Sequence, residues 1–404
     1  MKRFLRKMQG KRSKKDVPRN EYYENISARL GILQVVLYLS LFAFVILSFF
    51  KNTELITYRN FYRFFKDLNA SAESVFVPPS ESITYPVSNE QSFTLYRKGL
   101  AVAGNSTVTV FSTTGRQTIS QSISYQNPIA VGAGKYLLVY ELGGLQYSLY
   151  SSYTQVFTGS CEYPITGAAV SDSGMYAIVS SSDTYTSVVS LYSDNFSLLN
   201  KYNKTGYVMD VSINSKGSQL AILTILPENG AFSTELMLCR PGEGTSDAKK
   251  TLEGTVGWDC EFMASDDAIA VLHESGVAYY SAKGEQLSTF SFLGKEPLAV
   301  DMSRDGVALY LPSAEISKKN MLIVFDKSGK MLYNEGISGE VRQIARSGNS
   351  LYWMSNEGVH RLNLKNGSVD FSSCNVFQKR LLAPSEAEAL ICSPQKAEYI
   401  KFTS

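Results

Sequence analysis

Histidine is scarce in this chain: only two of its 404 residues are histidine, His273 and His360. Each stands in a short strand-and-turn context, and we expect ordinary structural roles for both. A histidine-based zinc site or a Ser-His-Asp triad needs several convergent side chains, so this scarcity argues against both. The sequence also lacks the glycine-rich phosphate loops, the HExxH zinc motif and the GxSxG nucleophile motif. No cofactor and no catalytic residue is therefore expected.

Cysteine is also sparse, with five residues at wide spacing and no CxxC pair. An odd number of scattered cysteines is neither a disulfide framework nor a zinc site. We expect most of them to be small buried residues. The alternative is a single bridge between neighbouring strands, for which Cys374 and Cys392 are the favoured pair, and such a bridge needs an oxidising compartment.

Charge is low overall, at 19% of residues, and it is unevenly placed. Residues 1–20 carry nine basic side chains and one acidic one, which leaves the rest of the chain mildly acidic. A basic tail beside an acidic body argues against nucleic acid as a partner. The body is rich in Ser, Tyr, Gly and Val, a composition that favours strands over helices.

One long apolar run interrupts this pattern. Residues 30–50 contain no charge, and Gln34 is their only strongly polar side chain. At 1.5 Å per residue a helix of this length is about 31 Å long, the thickness of a bilayer core. The sequence predicts an uncleaved transmembrane helix. A cleaved signal peptide is the alternative, but the run is longer than a signal core and no small-residue cleavage site follows Lys51.

The charges around this run predict its orientation and a division into four parts. Because Lys and Arg concentrate before it, residues 1–29 are predicted to be a cytoplasmic tail whose partner is the lipid bilayer, through anionic headgroups. Residues 51–80 are predicted to form a juxtamembrane amphipathic helix and stalk. Its apolar residues at helical spacing fit either the outer headgroup layer or a helix packed on the domain. Residues 81–404 are the predicted extracytoplasmic domain of a single-pass cell-membrane protein, and we expect a bacterial source.

From residue 92 the sequence repeats a strand, a turn rich in Gly, Asp and Ser, and a second strand. The clearest copies are Ala169–Val179, Val211–Leu223 and Val300–Tyr310. The turns fall near residues 97, 133, 172, 215, 266, 305, 347 and 386. A period of about 40–45 residues with four strands per unit is typical of a β-propeller blade.

Eight turns predict an all-β propeller of eight blades. The last unit supplies only three strands before the chain ends, and residues 82–87 offer the fourth. A strand supplied from the other terminus would close the ring and remove the open edge. Seven blades is the alternative, if residues 92–124 do not form a true blade.

These turns resemble those of tryptophan-aspartate-repeat and quinoprotein-type propellers. The chain lacks the repeated Gly-His and Trp-Asp positions of the first and the repeated tryptophans of the second, since Trp258-Asp259 is a single occurrence. Tail, apolar run, stalk and repeat together resemble an uncharacterised family of membrane-anchored propellers from Gram-positive anaerobic bacteria, a domain of unknown function. That resemblance implies the propeller fold and no activity.

Residues that enter the first strand of each blade are expected at the mouth of the central channel. The aromatic and charged ones are Tyr207, Trp258, Asp259, Arg342, Lys379 and Arg380. Such side chains around a funnel suit a peptide or glycan, although each could instead pack against the neighbouring blade. The acidic pairs Asp266-Asp267 and Asp301…Asp305 are interpreted as turn residues, without the oxygen spacing of a calcium site.

The sequence favours a non-catalytic binding or scaffolding module, tethered to the membrane, whose ligand is an envelope protein or a glycan. The alternative is an envelope enzyme on the same fold, either a glycan hydrolase or a quinone-dependent oxidoreductase. A carboxylate pair at the channel mouth would favour the hydrolase.

Overall fold

The computed structural model describes residues 30–31, 33–40, 42 and 82–402, with gaps at 229, 244–245, 314–318 and 375–379. The chain divides into two units, Met1–Phe65 and Lys66–Ser404. In the first unit the described residues are helical and their large apolar side chains are exposed. Among the residues described, no helix is long and apolar enough to cross a membrane. Residues 32, 41 and 43–50 of the predicted span, the tail and residues 51–80 lie outside the described residues.

The second unit consists of four-stranded antiparallel sheets, the blades, which follow one another along the chain. Blades 1 to 4 each use four consecutive strands. Blade 1 contains β2 (Gln91–Tyr96), β3 (Gly99–Gly104), β4 (Thr107–Phe111) and β5 (Gln117–Ser122). Blade 2 contains β6 (Pro128–Ala133), β7 (Tyr136–Glu141), β8 (Gln146–Ser151) and β9 (Thr154–Ser160). Blade 3 contains β10 (Ile165–Val170), β11 (Tyr176–Ser180), β12 (Ser187–Tyr192) and β13 (Leu198–Lys204). Blade 4 contains β14 (Tyr207–Ile213), β15 (Leu220–Glu228), β16 (Ala231–Cys239) and β17 (Ser246–Leu252).

Blades 5 to 7 repeat this arrangement and blade 8 combines both ends of the unit. Blade 5 contains β18 (Gly257–Phe262), β19 (Ala268–His273), β20 (Gly276–Ser281) and β21 (Gln286–Ser291). Blade 6 contains β22 (Ala299–Ser303), β23 (Gly306–Leu311), β24 (Asn320–Phe325) and β25 (Met331–Ile337). Blade 7 contains β26 (Gln343–Ser347), β27 (Ser350–Met354), β28 (Gly358–Asn363) and β29 (Val369–Ser373). Blade 8 contains β30 (Arg380–Leu382), β31 (Glu388–Cys392), β32 (Lys396–Lys401) and β1 (Ile83–Thr84).

The propeller prediction is confirmed, with eight blades rather than seven. Residues 92–124 contribute to a complete blade 1, and the predicted turns each join the first and second strand of one blade. The ring is closed as predicted, because Ile83 of β1 pairs with Ala397 of β32. This pairing covers what would otherwise be the exposed edge of β32.

The core lies between neighbouring blades. Leu223 and Leu236 of blade 4, for example, pack in one cluster with Ile269 and Val271 of blade 5. The second and third strands are buried on both faces, which explains why they are continuous apolar runs rather than alternating ones. Each blade interface therefore depends on apolar side chains from two units of the repeat.

Side chains bridge the first strands of neighbouring blades. The Ser92 hydroxyl of blade 1 accepts a hydrogen bond from the Ala130 N–H of blade 2 at 3.0 Å. The Gln343 side-chain oxygen of blade 7 likewise accepts from the Leu381 N–H of blade 8 at 2.8 Å. Polar residues on these strands thus satisfy backbone donors that a continuous sheet would otherwise pair.

The turns after the first strands also meet from blade to blade. The Asp266 carboxylate accepts from the Ser215 N–H at 2.9 Å, and the Asp305 carboxylate accepts from the Gly348 N–H at 2.6 Å. The Asp and Ser of the repeated turns therefore serve contacts between blades as well as turn geometry. Asp266 and Asp305 are turn residues as predicted, but that interpretation is wrong for Asp301, which lies within β22.

All five cysteines lie among the described residues and all are free thiols, so the Cys374–Cys392 bridge is not present. The reason is geometric. Cys392 packs in the core between blades 8 and 1, whereas Cys374 packs against the core between blades 7 and 8. The two side chains therefore belong to different blade interfaces.

Both histidines lie in strands. The His360 ring stacks on Trp353 within blade 7, with ring centroids 4.8 Å apart. The His273 Nδ1 lies 3.2 Å from the Ser275 hydroxyl in blade 5. Within the described part of the chain, no group of three or more His, Cys, Asp or Glu side chains could hold a metal ion.

Candidate functional site at the central channel

The predicted mouth residues do lie where the chain enters the first strands. Tyr207 opens β14, Trp258 and Asp259 are the second and third residues of β18, and Arg380 opens β30. Arg342 immediately precedes β26. Lys379 lies outside the described residues. We call this end of the channel the entry mouth.

Three consecutive first strands are bulged at the entry mouth. The strand pairing shifts between Ile165 and Gly167 in blade 3, between Val208 and Asp210 in blade 4, and between Gly257 and Asp259 in blade 5. The first strands of the other blades pair with their second strands without a shift. Bulges leave one residue unpaired and redirect its side chain, and they recur beside functional sites.

The residues at these bulges are Thr166, Met209 and Trp258, and all three are exposed. Met209 is 43% exposed and Trp258 is 36% exposed, while the neighbouring Tyr207 is 65% exposed. Large apolar side chains held in solvent at one end of a channel are typical of a binding surface. We call Thr166, Tyr207, Met209 and Trp258 the bulge patch.

The opposite side of the ring is basic. Arg342 and Arg380 are exposed at the starts of blades 7 and 8. A cavity of about 600 Å³ lies along the first strands of blades 1 and 2 and reaches Arg380. The channel thus offers apolar contacts on one side and guanidinium groups on the other.

Below the bulge patch, two carboxyl groups from neighbouring blades meet. Asp210 of β14 and Asp259 of β18 hydrogen-bond to each other, and Asp210 also accepts from the Cys260 N–H at 2.9 Å. Desolvation and the adjacent carboxylate raise the pKa of Asp210 well above its ordinary value, and desolvation raises that of Asp259. Two carboxylates this close cannot both ionise readily, so the pair shares a proton.

Two further acids on the first strands have raised pKa values. Desolvation raises the pKa of Glu261 in β18 to about 7, although Arg304 opposes the shift. Desolvation also raises the pKa of Asp301 in β22 to about 7, against the hydrogen bond it accepts from the Arg346 N–H at 3.1 Å. We call Asp210, Asp259 and Glu261 the acid cluster.

Arg304 contacts side chains from three other blades at the end of the channel opposite the entry mouth, where the first strands turn. It lies in the turn of blade 6, and its Nη1 donates to Asp172 of blade 3 at 2.6 Å and to Ser215 of blade 4 at 2.8 Å. Its Nε donates to Glu261 of blade 5 at 3.3 Å. One guanidinium therefore ties non-adjacent blades together across this end.

A glycine makes room for this arrangement. Gly134, in the turn of blade 2, has a positive φ of 45°. A Cβ atom there would lie 2.5 Å from Oδ1 of Asp172. Only glycine suits both this backbone conformation and the close approach of the carboxylate.

Sequence reasoning missed Asp210, Glu261 and Arg304. Their side chains come from three different blades, and no local motif shows that Glu261 interacts with both Asp210 and Arg304. A signal was present in the strands themselves, because Asp210, Glu261 and Asp301 interrupt otherwise apolar segments. Charged residues inside a predicted strand are unusual enough to indicate a special environment.

The solved structures similar to this chain include a WD40 domain. Sqt1 of Saccharomyces cerevisiae has 9% sequence identity and a TM-score of 0.55, covering 80% of this chain and 98% of that one. Sqt1 of Chaetomium thermophilum, bound to the N-terminus of the ribosomal protein L10, has 11% identity and a TM-score of 0.54, covering 80% and 100%. The C-terminal WD40 domain of Sif2 has 12% identity and a TM-score of 0.55, covering 81% and 100%. At these identities the likeness shows the fold alone.

Sequence comparison gives the family. No curated protein matches the sequence. The match to a family model extends over residues 79–402, from just before the closing strand β1 to the end of blade 8. It therefore covers all eight blades. The chain belongs to the family of unknown function DUF5711.

Proposed function

We propose that this protein is a membrane-tethered binding module that works outside the cytoplasm and holds an extended peptide segment at the entry mouth. The observation that carries the proposal is the set of three consecutive bulges, whose residues Thr166, Met209 and Trp258 are exposed to solvent. A bulge disrupts the local hydrogen bonding between strands. Three bulges in consecutive first strands therefore indicate a role other than strand pairing.

The chemistry of the entry mouth indicates the kind of peptide. Tyr207 and Trp258 are residue types that dominate binding hot spots, and Met209 adapts to different apolar partners. Arg342 and Arg380 favour acidic groups. A segment with an apolar or aromatic residue and an acidic residue fits both sides. A similar propeller is bound to the N-terminus of a ribosomal protein, which is a polypeptide segment.

Selection from a displayed random-peptide library against the purified full-length chain tests the binding proposal. Selected peptides should lose at least about tenfold in affinity with Trp258→Ala or Tyr207→Ala, as hot-spot residues do. The matched control is Leu287→Ala, since Leu287 is 51% exposed on the outer strand β21. Failure to select any peptide would contradict peptide binding at the entry mouth. An equal loss of affinity in the Leu287→Ala control would also contradict it.

Location is a separate part of the proposal. The apolar, uncharged residues 30–50 and the basic residues before them support a membrane helix with the propeller outside. A phosphatase reporter fused after Ser404 should be active in cells, because it needs an oxidising compartment. Activity of a cytoplasm-specific reporter at the same position would reverse the orientation.

A glycan hydrolase is the second candidate, favoured by the acid cluster. However, hydrogen-bonded carboxyls lie closer together than the roughly 5 Å or more between the acids of glycosidases. This disfavours Asp210 and Asp259 as a catalytic pair. Release of a fluorogenic sugar that is abolished by Asp259→Asn would favour the hydrolase over the binding module.

A further inference from the structure

A second cavity lies at the interface between blades 3 and 4. It has a volume of about 480 Å³ and lies between β13, the outer strand of blade 3, and strands β15 to β17 of blade 4. Three lysines line it, Lys201, Lys204 and Lys249, together with one carboxylate, Glu235. We call it the lysine cleft.

Lys204 is an unusual member of this set because its side chain is only 9% exposed. Its ammonium donates to Oε1 of Glu235 at 2.8 Å and contacts the sulfur of Met237 at 3.2 Å. An ammonium has three N–H donors, and a thioether is a weak acceptor. At least one donor is thus available to an acceptor within the cleft.

Glu235 cannot neutralise all three lysines. One of its oxygens binds Lys204, and the other lies 3.5 Å from Lys249. Burial alone would raise the pKa of Glu235, but the hydrogen bond and charge of Lys204 and the charge of Lys249 outweigh burial and lower it. Glu235 is therefore ionised at neutral pH, and it offsets one of the three positive charges.

The other acid of this region is already engaged. Asp247, on the outer strand β17, pairs with Arg240 at 3.0 Å. Among the described residues that line the cleft, Glu235 is the one carboxylate, so an excess of positive charge is left. A partly enclosed site with excess ammonium charge favours an anion.

We propose that the lysine cleft binds an oxyanion group, a phosphate or a carboxylate, carried by a small molecule or by the end of a larger ligand. Its volume lies within the range of small-molecule sites, about 300–1,000 Å³. Lys204 supplies a buried donor from the wall of the cleft, and Lys201 and Lys249 supply exposed charges at its rim. The lining residues named here differ from those of the bulge patch.

Isothermal titration of the full-length chain tests it, with inorganic phosphate and succinate as separate probes at constant ionic strength. Saturable one-to-one binding of at least one probe is expected, and the two arms distinguish phosphate from carboxylate ligands. The double variant Lys201→Gln with Lys249→Gln should weaken binding at least about tenfold. Both lysines are exposed at the rim, so this variant should remain folded.

The matched control removes the same charge elsewhere. Lys283 and Lys327 are exposed in turns of blades 5 and 6, and Lys283→Gln with Lys327→Gln should keep the affinity within about twofold. Absence of saturable binding for both probes overturns the proposal. Equal weakening in the two double variants also overturns it, because binding would then follow net charge rather than the cleft. Either result leaves the peptide proposal for the entry mouth untouched.

Discussion

Arg304 and Asp172 meet at 2.6 Å although they belong to blades 6 and 3. Two blades lie between them along the chain, and both contribute to the same guanidinium through Ser215 and Glu261. This contact restrains the ring in a way that neighbour-to-neighbour packing cannot. It also places a positive charge beside the acid cluster.

The Arg304–Asp172 contact should contribute measurably to stability. A double-mutant cycle with Arg304→Gln and Asp172→Asn, followed by urea unfolding, should give a coupling free energy of about 1 kcal/mol. The partial exposure of both side chains keeps this value modest. The comparison pair is Arg240 and Asp247, in which Arg240 is 63% exposed, and its coupling should be smaller. Additive effects at Arg304 and Asp172 would show that the contact is not formed in solution.

The raised pKa of Glu261 predicts how stability depends on pH. Because the folded state holds this proton up to about pH 7 and the unfolded state releases it near its ordinary value of 4.5, unfolding becomes easier as pH rises between these values. The slope for one such group is at most about 1.4 kcal/mol per pH unit.

The measurement is the difference in unfolding free energy between wild type and Glu261→Gln from pH 5 to pH 8. The wild type should lose stability relative to the variant as pH rises. Glu285→Gln, at an exposed outer turn, should show no such trend. A flat difference for Glu261→Gln would mean that the carboxyl is well solvated in the channel.

Because β1 closes the ring, substitutions at its two adjacent residues should differ in their effect on the free energy of unfolding. Ile83 is buried against Phe93 and Leu390, whereas Thr84 is exposed. Ile83→Ala should cost about 2–4 kcal/mol in unfolding free energy, and Thr84→Ala less than about 0.5 kcal/mol. Thermal and urea unfolding measure both. Equal small effects would mean that β1 adds little to blade 8.

Placement of Cys374 and Cys392 at different blade interfaces predicts that no disulfide stabilises the propeller. The melting temperature should be the same with and without a reducing agent. Peptide mapping under non-reducing conditions should recover both cysteines as free thiols. A cross-linked peptide containing both would require a rearranged blade 8.

The propeller fold was easier to predict from the sequence than the candidate site at the channel, and the reason is physical. Blade turns such as Asp172 and Asp266 recur at a regular period, because every blade repeats the same contact with its neighbour. The closing strand was predictable because blade 8 lacked one strand and an open edge is unfavourable. These features can be predicted from the local sequence and from the number of strands in each repeat.

The channel depends instead on register between blades. The positions of Trp258 and Arg380 at strand starts followed from the repeat, but the pairing of Asp210 with Asp259 did not. A one-residue bulge at Met209 or Trp258 changes which side chains reach the channel, and no turn or period marks it. Asp210 and Asp259 lie 49 residues apart in the sequence, so no local pattern reveals that they meet.

The most direct test of the binding account is site-specific photo-cross-linking in cells that express the full-length chain. A benzophenone amino acid in place of Trp258 should give a discrete cross-linked adduct, and Tyr207→Ala in the same chain should reduce it. The same photoreactive group in place of Leu287, on the outer strand of the same blade, should give none. Absence of an adduct at position 258, or equal adducts at positions 258 and 287, would contradict the account.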